Sequence, residues 1–278
     1  KLGKRPDYSD SELRTVTDRF KATFDTSTNA LQAVRGFAQT WAGRGGDLAL
    51  PFRQVPRSSF NTSIDSARRF VAQTWPFARI KAVAQAYEGT FNDAVLAMCA
   101  GALRRYLIDL GALPERPLVA GVPVSLHRDR EQAQPGNEIA FMLVNLATHL
   151  DDPLRRFAAI KASVDYSKAR FACMSQAELL AYSLAMLAPG VARLAGGWEN
   201  MPVNVVISHV PGPRQPMYWQ GCQLEGLYPV SLLLDGLALN ITLVSRQDKV
   251  DFGLIACRRT LPSVQRLLDH LQEALEAL

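Results

Sequence analysis

The stretch VNVVISHVPGPRQP, residues 203–216, carries a run of strand-forming residues to a Ser-His pair and then to a rigid turn. Its first five residues are mostly Val and Ile, which is typical of a buried strand. Pro211 and Pro213 fix the backbone φ and remove two N–H donors, while Gly212 permits another backbone to approach closely. Two interpretations follow: a strand that simply ends in a stiff turn, or a turn that holds the hydroxyl of Ser208 toward a cleft as a hydrogen-bond donor.

Outward from this stretch, the chain alternates between strand and helix patterns. Apolar runs with β-branched residues predict strands, and apolar residues at three- and four-residue spacing predict helices. The alternation is irregular and the last two strands form a hairpin, which favours an α/β fold with a mixed sheet and flanking helices. The predicted strands cover residues 68–77, 117–126, 138–148, 202–209, 217–222, 237–246 and 250–258. The predicted helices cover residues 11–24, 28–43, 78–87, 90–110, 152–172, 175–197 and 262–278.

The strongest helix pattern begins at Thr90-Phe91-Asn92-Asp93. Thr90 and Asp93 have the spacing of a capping box, with Asn92 in the first turn. A helix N-terminus is also a place where an anion or a developing oxyanion is stabilised. Asn92 and Asp93 are therefore either capping residues alone, which is the simpler interpretation, or capping residues that also belong to a site.

The composition is that of a globular protein. Hydrophobic residues make up 48% of the chain and charged residues 21%. Because 278 residues are near the upper size for one hydrophobic core, one large lobe or two smaller lobes are expected. No apolar run reaches about 18 residues, which excludes a predicted transmembrane helix. The first residues, KLGKRPDYSDSEL, contain neither a starting Met nor the apolar region of a signal peptide. We therefore interpret the chain as a fragment or a processed piece.

Charge and cysteine usage narrow the functional classes. A formal charge of +5 mildly favours anionic partners such as phosphate-bearing cofactors or lipid surfaces, and nucleic acid is the least favoured because no dense basic tract appears.

The four cysteines form no CxxC pair, which argues against a zinc site and for a reduced cytoplasmic protein. Cys99 is predicted to be a buried thiol in its helix. His270 is predicted to be solvated beside Asp269.

Two further patterns have a structural and a functional interpretation. Arg68 and Arg69 open a strand, where adjacent arginines are either solvated or in contact with phosphates. Asp251-Phe252-Gly253 in the last strand is predicted to be structural, with Gly253 allowing a bulge or tight packing.

Five segments, taken in their order and spacing, resemble the bacterial wax ester synthase/acyl-CoA:diacylglycerol acyltransferase family. They are PRSSFN (56–61), RRF (68–70), FNDAVLAMCAGALRRYL (91–107), GVPVSL (121–126) and NVVISHVPGP (204–213). The resemblance runs from about residue 51 to the C-terminus, and DFGL near the end resembles the structural DFG element of related acyltransferases. It implies a two-lobed fold like chloramphenicol acetyltransferase, shared with peptide-synthetase condensation domains.

The catalytic element of that family, HHxxxDG, lies in its N-terminal lobe and is not found in this sequence. The resemblance therefore implies that residues 1–60 are a helical linker and interlobe crossing segment and that residues 61–278 are the C-terminal lobe. His209 departs from the family, which usually has Asn there. Ser208, Pro211 and Gly212 match.

The resemblance also implies a set of roles. A His of the N-terminal lobe would act as general base, Asn92 and Ser208 would donate hydrogen bonds to the carbonyl oxygen, and Asp93 would hold the helix start. The residues expected to bind substrate are His209, Pro211, Gly212, Arg68 and Arg69, the two arginines at the phosphates of coenzyme A. The apolar residues 138–148 and 175–195 would line the channel for acyl or alcohol chains.

The substrates implied are acyl-CoA and a long-chain alcohol or diacylglycerol, with no covalently bound cofactor and no metal. Lipid acceptors imply a cytoplasmic protein associated peripherally with the inner membrane or lipid inclusions. Two alternatives stay open: a condensation-domain-like acyltransferase that acts on carrier-bound substrates, and a noncatalytic acyl-binding or interaction lobe.

Overall fold

A mixed β-sheet of six strands organises the part of the chain that the structure describes. The structure is a computed structural model, and it describes residues 55–125, 139–174, 179, 182 and 201–278. The predicted helices 11–24 and 28–43, and nearly all of 175–197, lie outside these residues. The strands are β1 (Arg68–Pro76), β2 (Val119–Ser125), β3 (Ile139–Asn145), β4 (Val205–Pro211), β5 (Tyr218–Trp219), β6 (Cys222–Gln223), β7 (Leu239–Arg246) and β8 (Lys249–Cys257).

The order of the large sheet is β1-β8-β7-β4-β2-β3. Strand β4 runs parallel to both β2 and β7, and the other pairs are antiparallel. The prediction of a mixed sheet is therefore confirmed. Because β4 and β7 are parallel neighbours, their carboxyl ends meet at the same edge of the sheet, next to each other.

Helices cover one face of this sheet. They are α1 (Phe77–Ala86), α2 (Phe91–Asp109), α3 (Pro153–Ala172) and α4 (Arg266–Glu276). Their apolar residues share one core cluster with alternate residues of the strands, among them Val205 and Ile207 of β4. A smaller cluster that contains Val203 and Leu143, with Val206 packed against it, lies on the opposite face. Alternation along β4 thus separates the odd-numbered from the even-numbered side chains.

Local capping explains where two helices begin. The Thr90 hydroxyl accepts from the Asp93 N–H at 3.3 Å, and the Asp93 carboxylate accepts from the Thr90 N–H at 2.7 Å, so the predicted capping box is confirmed. Asp152 caps α3 by accepting from the N–H of Arg155 at 2.8 Å, and Pro153 takes the first helical position.

Two strand predictions were wrong in detail. Residues 217–222 were predicted as one strand, but β5 and β6 form a short hairpin, since Gln220 and Gly221 turn the chain with φ of 47° and 83°. Strand β4 does not end before residue 210, because Pro211 still pairs with Ser245 of the parallel neighbour.

His270 is buried rather than solvated, with only 7% of its surface exposed. Its Nε2 lies 3.1 Å from Asp109 Oδ2 of α2, and its Nδ1 lies 3.1 Å from Glu273 Oε2. The prediction was wrong because His270 lies on the face of α4 that packs against α2, whereas the neighbouring Asp269 is exposed. Cys99 is fully buried as predicted, and burial raises the pKa of its thiol to about 12.

Gly253 packs tightly, as predicted. A Cβ at this position would overlap the carbonyl oxygen of Pro229, because the segment 224–236 crosses the sheet on the face opposite the helices. Asp251 fastens this segment, since its carboxylate accepts from the N–H of Leu227 at 2.8 Å and from Arg246 Nε at 2.5 Å. Both Asp251 and Arg246 are buried.

Candidate active site at the carboxyl ends of β4 and β7

His209 connects the first turn of α2 to the ends of two strands. Its Nδ1 lies 2.8 Å from Asn92 Oδ1, and its Nε2 lies 2.9 Å from Ser245 Oγ. The odd-numbered side chains of β4 face the helices, so His209 meets α2. Ser245 lies on β7, two residues beyond Leu243, which is the direct neighbour of His209 in the parallel ladder. Three residues that are far apart in sequence thus form one hydrogen-bonded row.

The imidazole of this row is neutral near pH 7. Burial lowers the pKa of His209, because a protonated ring would lose part of its hydration. A neutral ring carries one donor and one acceptor. With the Asn92 Oδ1 as acceptor, the Nδ1–H donates to it, and the Nε2 accepts from the hydroxyl of Ser245.

Aromatic rings shield one side of the imidazole. The centroids of the Phe91 and His209 rings are 5.2 Å apart, and Phe77 stacks on Phe91 at 4.6 Å with an interplanar angle of 11°. His209 and Ser245 are half-buried, whereas Asn92 is exposed. The amide of Asn92 is therefore the part of the row that a substrate or another lobe reaches first.

Asp93 faces inward from the same helix turn. One carboxylate oxygen, Oδ2, accepts from both the N–H and the hydroxyl of Thr90 at 2.7 Å. The other, Oδ1, is buried and has no hydrogen-bond partner among the described residues. The structure therefore supports the predicted role of Asp93 in holding the helix start. Any part in catalysis stays a prediction.

Ser208 lies on the other face of the sheet. It pairs with Thr242 of β7, and strand alternation directs its side chain away from α2, to the same side as Val206. Its hydroxyl has no hydrogen bond to any residue of the described ranges. The structure thus brings Asn92 to His209 rather than to Ser208. A donor role for Ser208 stays a prediction.

Pro211 and Gly212 shape the strand end. The Gly212 N–H donates to the carbonyl of Ser245 at 2.8 Å, and a Cβ on Gly212 would come within 2.6 Å of Val244 Cγ1. Close backbone approach therefore explains the glycine. A contact of Pro211 or Gly212 with substrate stays a prediction.

Arg68 and Arg69 lie far from this row. The strand register places Gln73 of β1 in line with His209, and Arg69 is four residues further along β1. At a rise of about 3.3 Å per residue and a strand spacing of about 4.8 Å, the separation is ~20 Å. Arg68 is exposed and donates to the carbonyls of Asp65 and Ala67, while Arg69 donates to the carbonyl of Pro262 at 2.9 Å. Binding of phosphates by this pair stays a prediction, at a place apart from Asn92.

Large hydrophobic side chains are exposed at many positions of the segment that follows β4. We call these side chains together the 210–234 surface, and the most exposed of them are Trp219 and Leu232, each 80% exposed. The other large hydrophobic residues exposed on it are Val210, Met217, Tyr218, Leu227, Tyr228, Val230 and Leu234. An apolar stretch of this extent is typical of a surface that another protein segment or a lipid surface covers.

Comparison with known proteins assigns the chain to a family. A family model described as WS/DGAT C-terminal domain matches residues 135–278, and one described as wax ester synthase/diacylglycerol acyltransferase catalytic domain matches residues 5–95. The chain belongs to the WS/DGAT family. The resemblance found in the sequence is thereby confirmed.

Relatives within the WS/DGAT family are clearly similar. The O-acyltransferase WSD of Acinetobacter baylyi is 41% identical over 267 residues, which are 95% of this chain and 58% of that protein. A Mycobacterium tuberculosis protein with the provisional name diacylglycerol O-acyltransferase is 50% identical over 234 residues, 83% of this chain and 52% of that protein. The chain thus spans about half the length of the curated relatives it matches.

Solved structures confirm the fold of this WS/DGAT chain. The wax ester synthase/diacylglycerol acyltransferase of Marinobacter aquaeolei VT8 is 42% identical, with a TM-score of 0.70, over 90% of this chain and 55% of that one. A condensation domain of the enacyloxin polyketide synthase is 13% identical, with a TM-score of 0.55, over 81% of this chain and 44% of that one. The second likeness shows the fold alone. It confirms the prediction that this chain shares its fold with condensation domains.

Neither Ser245 nor the buried Arg246–Asp251 pair was predicted from the sequence. Ser245 carries no local signal, because a single serine near a strand end is common and only the parallel register brings it to His209. Arg246 and Asp251 flank the hairpin turn between β7 and β8, a spacing that is compatible with a cross-strand pair.

Among the described residues, no helix combines the length and apolar character that crossing a membrane requires.

Proposed function

We propose that the complete protein transfers an acyl group from acyl-CoA to the hydroxyl of a long-chain alcohol or a diacylglycerol, and that this chain forms the C-terminal part of the enzyme. Membership of the WS/DGAT family and the acyltransferase names of its relatives support the reaction class. Acyl-CoA is a substrate rather than a resident cofactor in this proposal.

The observation that carries the proposal is the fixed position of Asn92. It lies in the first turn of a capped helix, and His209 accounts for its Oδ1, so the Nδ2–H₂ group stays available. An amide N–H at a helix N-terminus suits a developing oxyanion, because both the donor and the helix dipole favour negative charge there.

The reaction begins when a general base takes the proton of the acceptor hydroxyl. The alkoxide attacks the thioester carbonyl, and negative charge develops on the carbonyl oxygen, where Asn92 donates its hydrogen bond. Collapse of the intermediate releases coenzyme A and the ester. We assign the base to a His of the HHxxxDG element in the N-terminal lobe.

The 210–234 surface gives the N-terminal lobe a place to dock. Its apolar side chains begin at Val210, which follows His209 but points to the opposite face of the sheet, so a lobe docked there would reach the Asn92 row around the carboxyl ends of β4 and β7. We propose that docking excludes water and brings the base to the cleft. The formal charge of +5 additionally suits peripheral contact with an anionic membrane or lipid inclusion.

The experiment measures acyl transfer by the complete protein, with palmitoyl-CoA and either hexadecanol or a diacylglycerol. Asn92→Ala should lower kcat by about 10²- to 10³-fold with little change in KM, which is the usual effect of losing one oxyanion donor. Gln85→Ala removes an exposed amide from the neighbouring helix α1 and should leave the rate unchanged. A variant at Asn92 with wild-type kcat would contradict the proposal.

The shared fold also supports a second candidate, a condensation-domain-like transfer between carrier-bound substrates. The same assay separates the two. Turnover with free palmitoyl-CoA supports the main proposal, whereas turnover only when the acyl group is carried on a phosphopantetheine protein supports the second. Turnover with neither would support a noncatalytic acyl-binding lobe.

A further inference from the structure

The row of side chains at the ends of β4 and β7 has a chemical order. One ring nitrogen of His209, Nε2, lies 2.9 Å from the hydroxyl oxygen of Ser245, and the other, Nδ1, lies 2.8 Å from Asn92 Oδ1. A hydroxyl, a base within hydrogen-bond reach and a third group that orients the base are the parts of an activated nucleophile. The imidazole also uses the nitrogen farther from its main chain for the hydroxyl, as in a serine triad.

The backbone holds the hydroxyl firmly. Ser245 lies inside the ladder between Pro211 of β4 and Val250 of β8, and its carbonyl accepts from the Gly212 N–H at 2.8 Å. A serine on a central strand is positioned more accurately than one on a loop, because the neighbouring strands fix its main chain. The side chain is half-buried, so it retains an accessible part.

The surroundings favour the reactive protonation state. The groups that contact the ring are uncharged: Phe91 on one side, Asn92 at Nδ1 and Ser245 at Nε2. Partial burial lowers the pKa of His209, so the Nε2 lone pair stays free for the serine proton at neutral pH.

We propose that Ser245 is a nucleophile that forms an acyl-serine with activated esters or thioesters, with His209 as its base and Asn92 as the group that orients the base. The Ser245 proton moves to His209 Nε2 while the Oγ–C bond to the acyl carbon forms. The C–S or C–O bond to the leaving group then breaks, and His209 returns the proton to the leaving sulfur or oxygen. A water molecule, deprotonated in turn by His209, hydrolyses the acyl-serine and regenerates Ser245.

This second acyl site does not depend on the proposed acyl-CoA:alcohol transfer. That transfer uses a base from the N-terminal lobe and no covalent intermediate on the protein, whereas the serine site uses only residues of this chain. The two share Asn92, and His209 holds Asn92 in place, so a variant at Ser245 is the one that separates them.

The test uses the complete protein and a fluorophosphonate probe, which phosphonylates activated serines. Peptide mass spectrometry after incubation at pH 7.5 should find the adduct on Ser245. Ser245→Ala should lose it, and His209→Asn should slow labelling by about 100-fold or more, since general-base catalysis contributes at least that factor. Ser167→Ala serves as matched control, because its half-buried hydroxyl donates to a carbonyl, that of Leu143, rather than to an imidazole.

The rate of labelling should also fall at acidic pH as His209 takes up a proton, a response that a purely structural hydrogen bond would not produce. Wild-type protein that is folded and yet shows no adduct on Ser245 would overturn the proposal. So would a His209→Asn variant that labels as fast as wild type. If the wild-type protein is labelled at Ser245 but does not transfer the acyl group of acyl-CoA to an alcohol, the proposed function is contradicted and this inference stands.

Discussion

Replacing Asp251 with Asn should destabilise the protein strongly, because it leaves a buried guanidinium without its counter-charge. The side chains of Arg246 and Asp251 are 3% and 0% exposed, and Arg246 Nε lies 2.5 Å from Asp251 Oδ2. The carboxylate also accepts from the Thr74 hydroxyl at 2.6 Å and from the Leu227 N–H at 2.8 Å. One substitution therefore weakens contacts to β1, to β7 and to the segment 224–236.

The expected cost is about 3–5 kcal/mol, the usual effect of removing one partner from a buried ion pair. The amide oxygen of the variant can still accept from Thr74 or Leu227, so most of the loss comes from the uncompensated charge of Arg246 rather than from missing hydrogen bonds. Replacing both residues, as in Arg246→Met with Asp251→Leu, should cost less than the two single changes together, because no isolated charge remains.

Urea unfolding followed by circular dichroism measures these free energies of unfolding. Glu225→Gln is the matched control, since Glu225 and Lys249 form a more exposed pair at 3.7 Å and should contribute less than about 1 kcal/mol. The reasoning would be refuted by an Asp251→Asn variant that loses no more stability than Glu225→Gln. A double variant whose loss equals the sum of the single losses would refute it as well.

Three further changes test other contacts. Gly253→Ala should cost on the order of 1–3 kcal/mol, because its Cβ meets the carbonyl of Pro229, and proteolysis within 224–236 should become faster. Thr90→Ala should cost about 1 kcal/mol in urea unfolding, since α2 loses half of its capping box with Asp93; an unchanged midpoint would argue against that role. Because the pKa of His209 is lowered below 6.5, the unfolded chain takes up its proton first, and the free energy of unfolding should fall as the pH drops below about 6.5. His209→Asn should lack this part of the loss between pH 8 and pH 5, and an identical pH profile for the two proteins would contradict the assignment.

Features that depend on local contacts were predictable from the sequence. Helices α2 and α3 begin where Thr90 and Pro153 indicate, because capping boxes and N-terminal prolines act within a single turn. The hairpin of β7 and β8 also follows from one turn between two apolar runs. The strand prediction for 217–222 missed the turn at Gln220, because a positive φ at a non-glycine residue has no reliable local signal.

The arrangement of the candidate site could be predicted only in part. Because side chains alternate along a strand, Ser208 and His209 must face opposite sides of the sheet, but the sequence does not tell which of them faces α2. That choice depends on which face of β4 the helices cover. Ser245 reaches His209 only through the parallel register of β4 and β7, which no residue of either strand specifies alone.

The pairing of β1 has a consequence for synthesis of the protein on the ribosome. Its partner β8 follows about 180 residues later in the chain, and β8 separates β1 from the rest of the sheet. At roughly 5–20 residues per second, β1 waits on the order of 10–40 s for its partner. During that time its backbone donors and acceptors stay open to wrong strands, so the nascent chain has reason to depend on chaperones until translation passes Cys257.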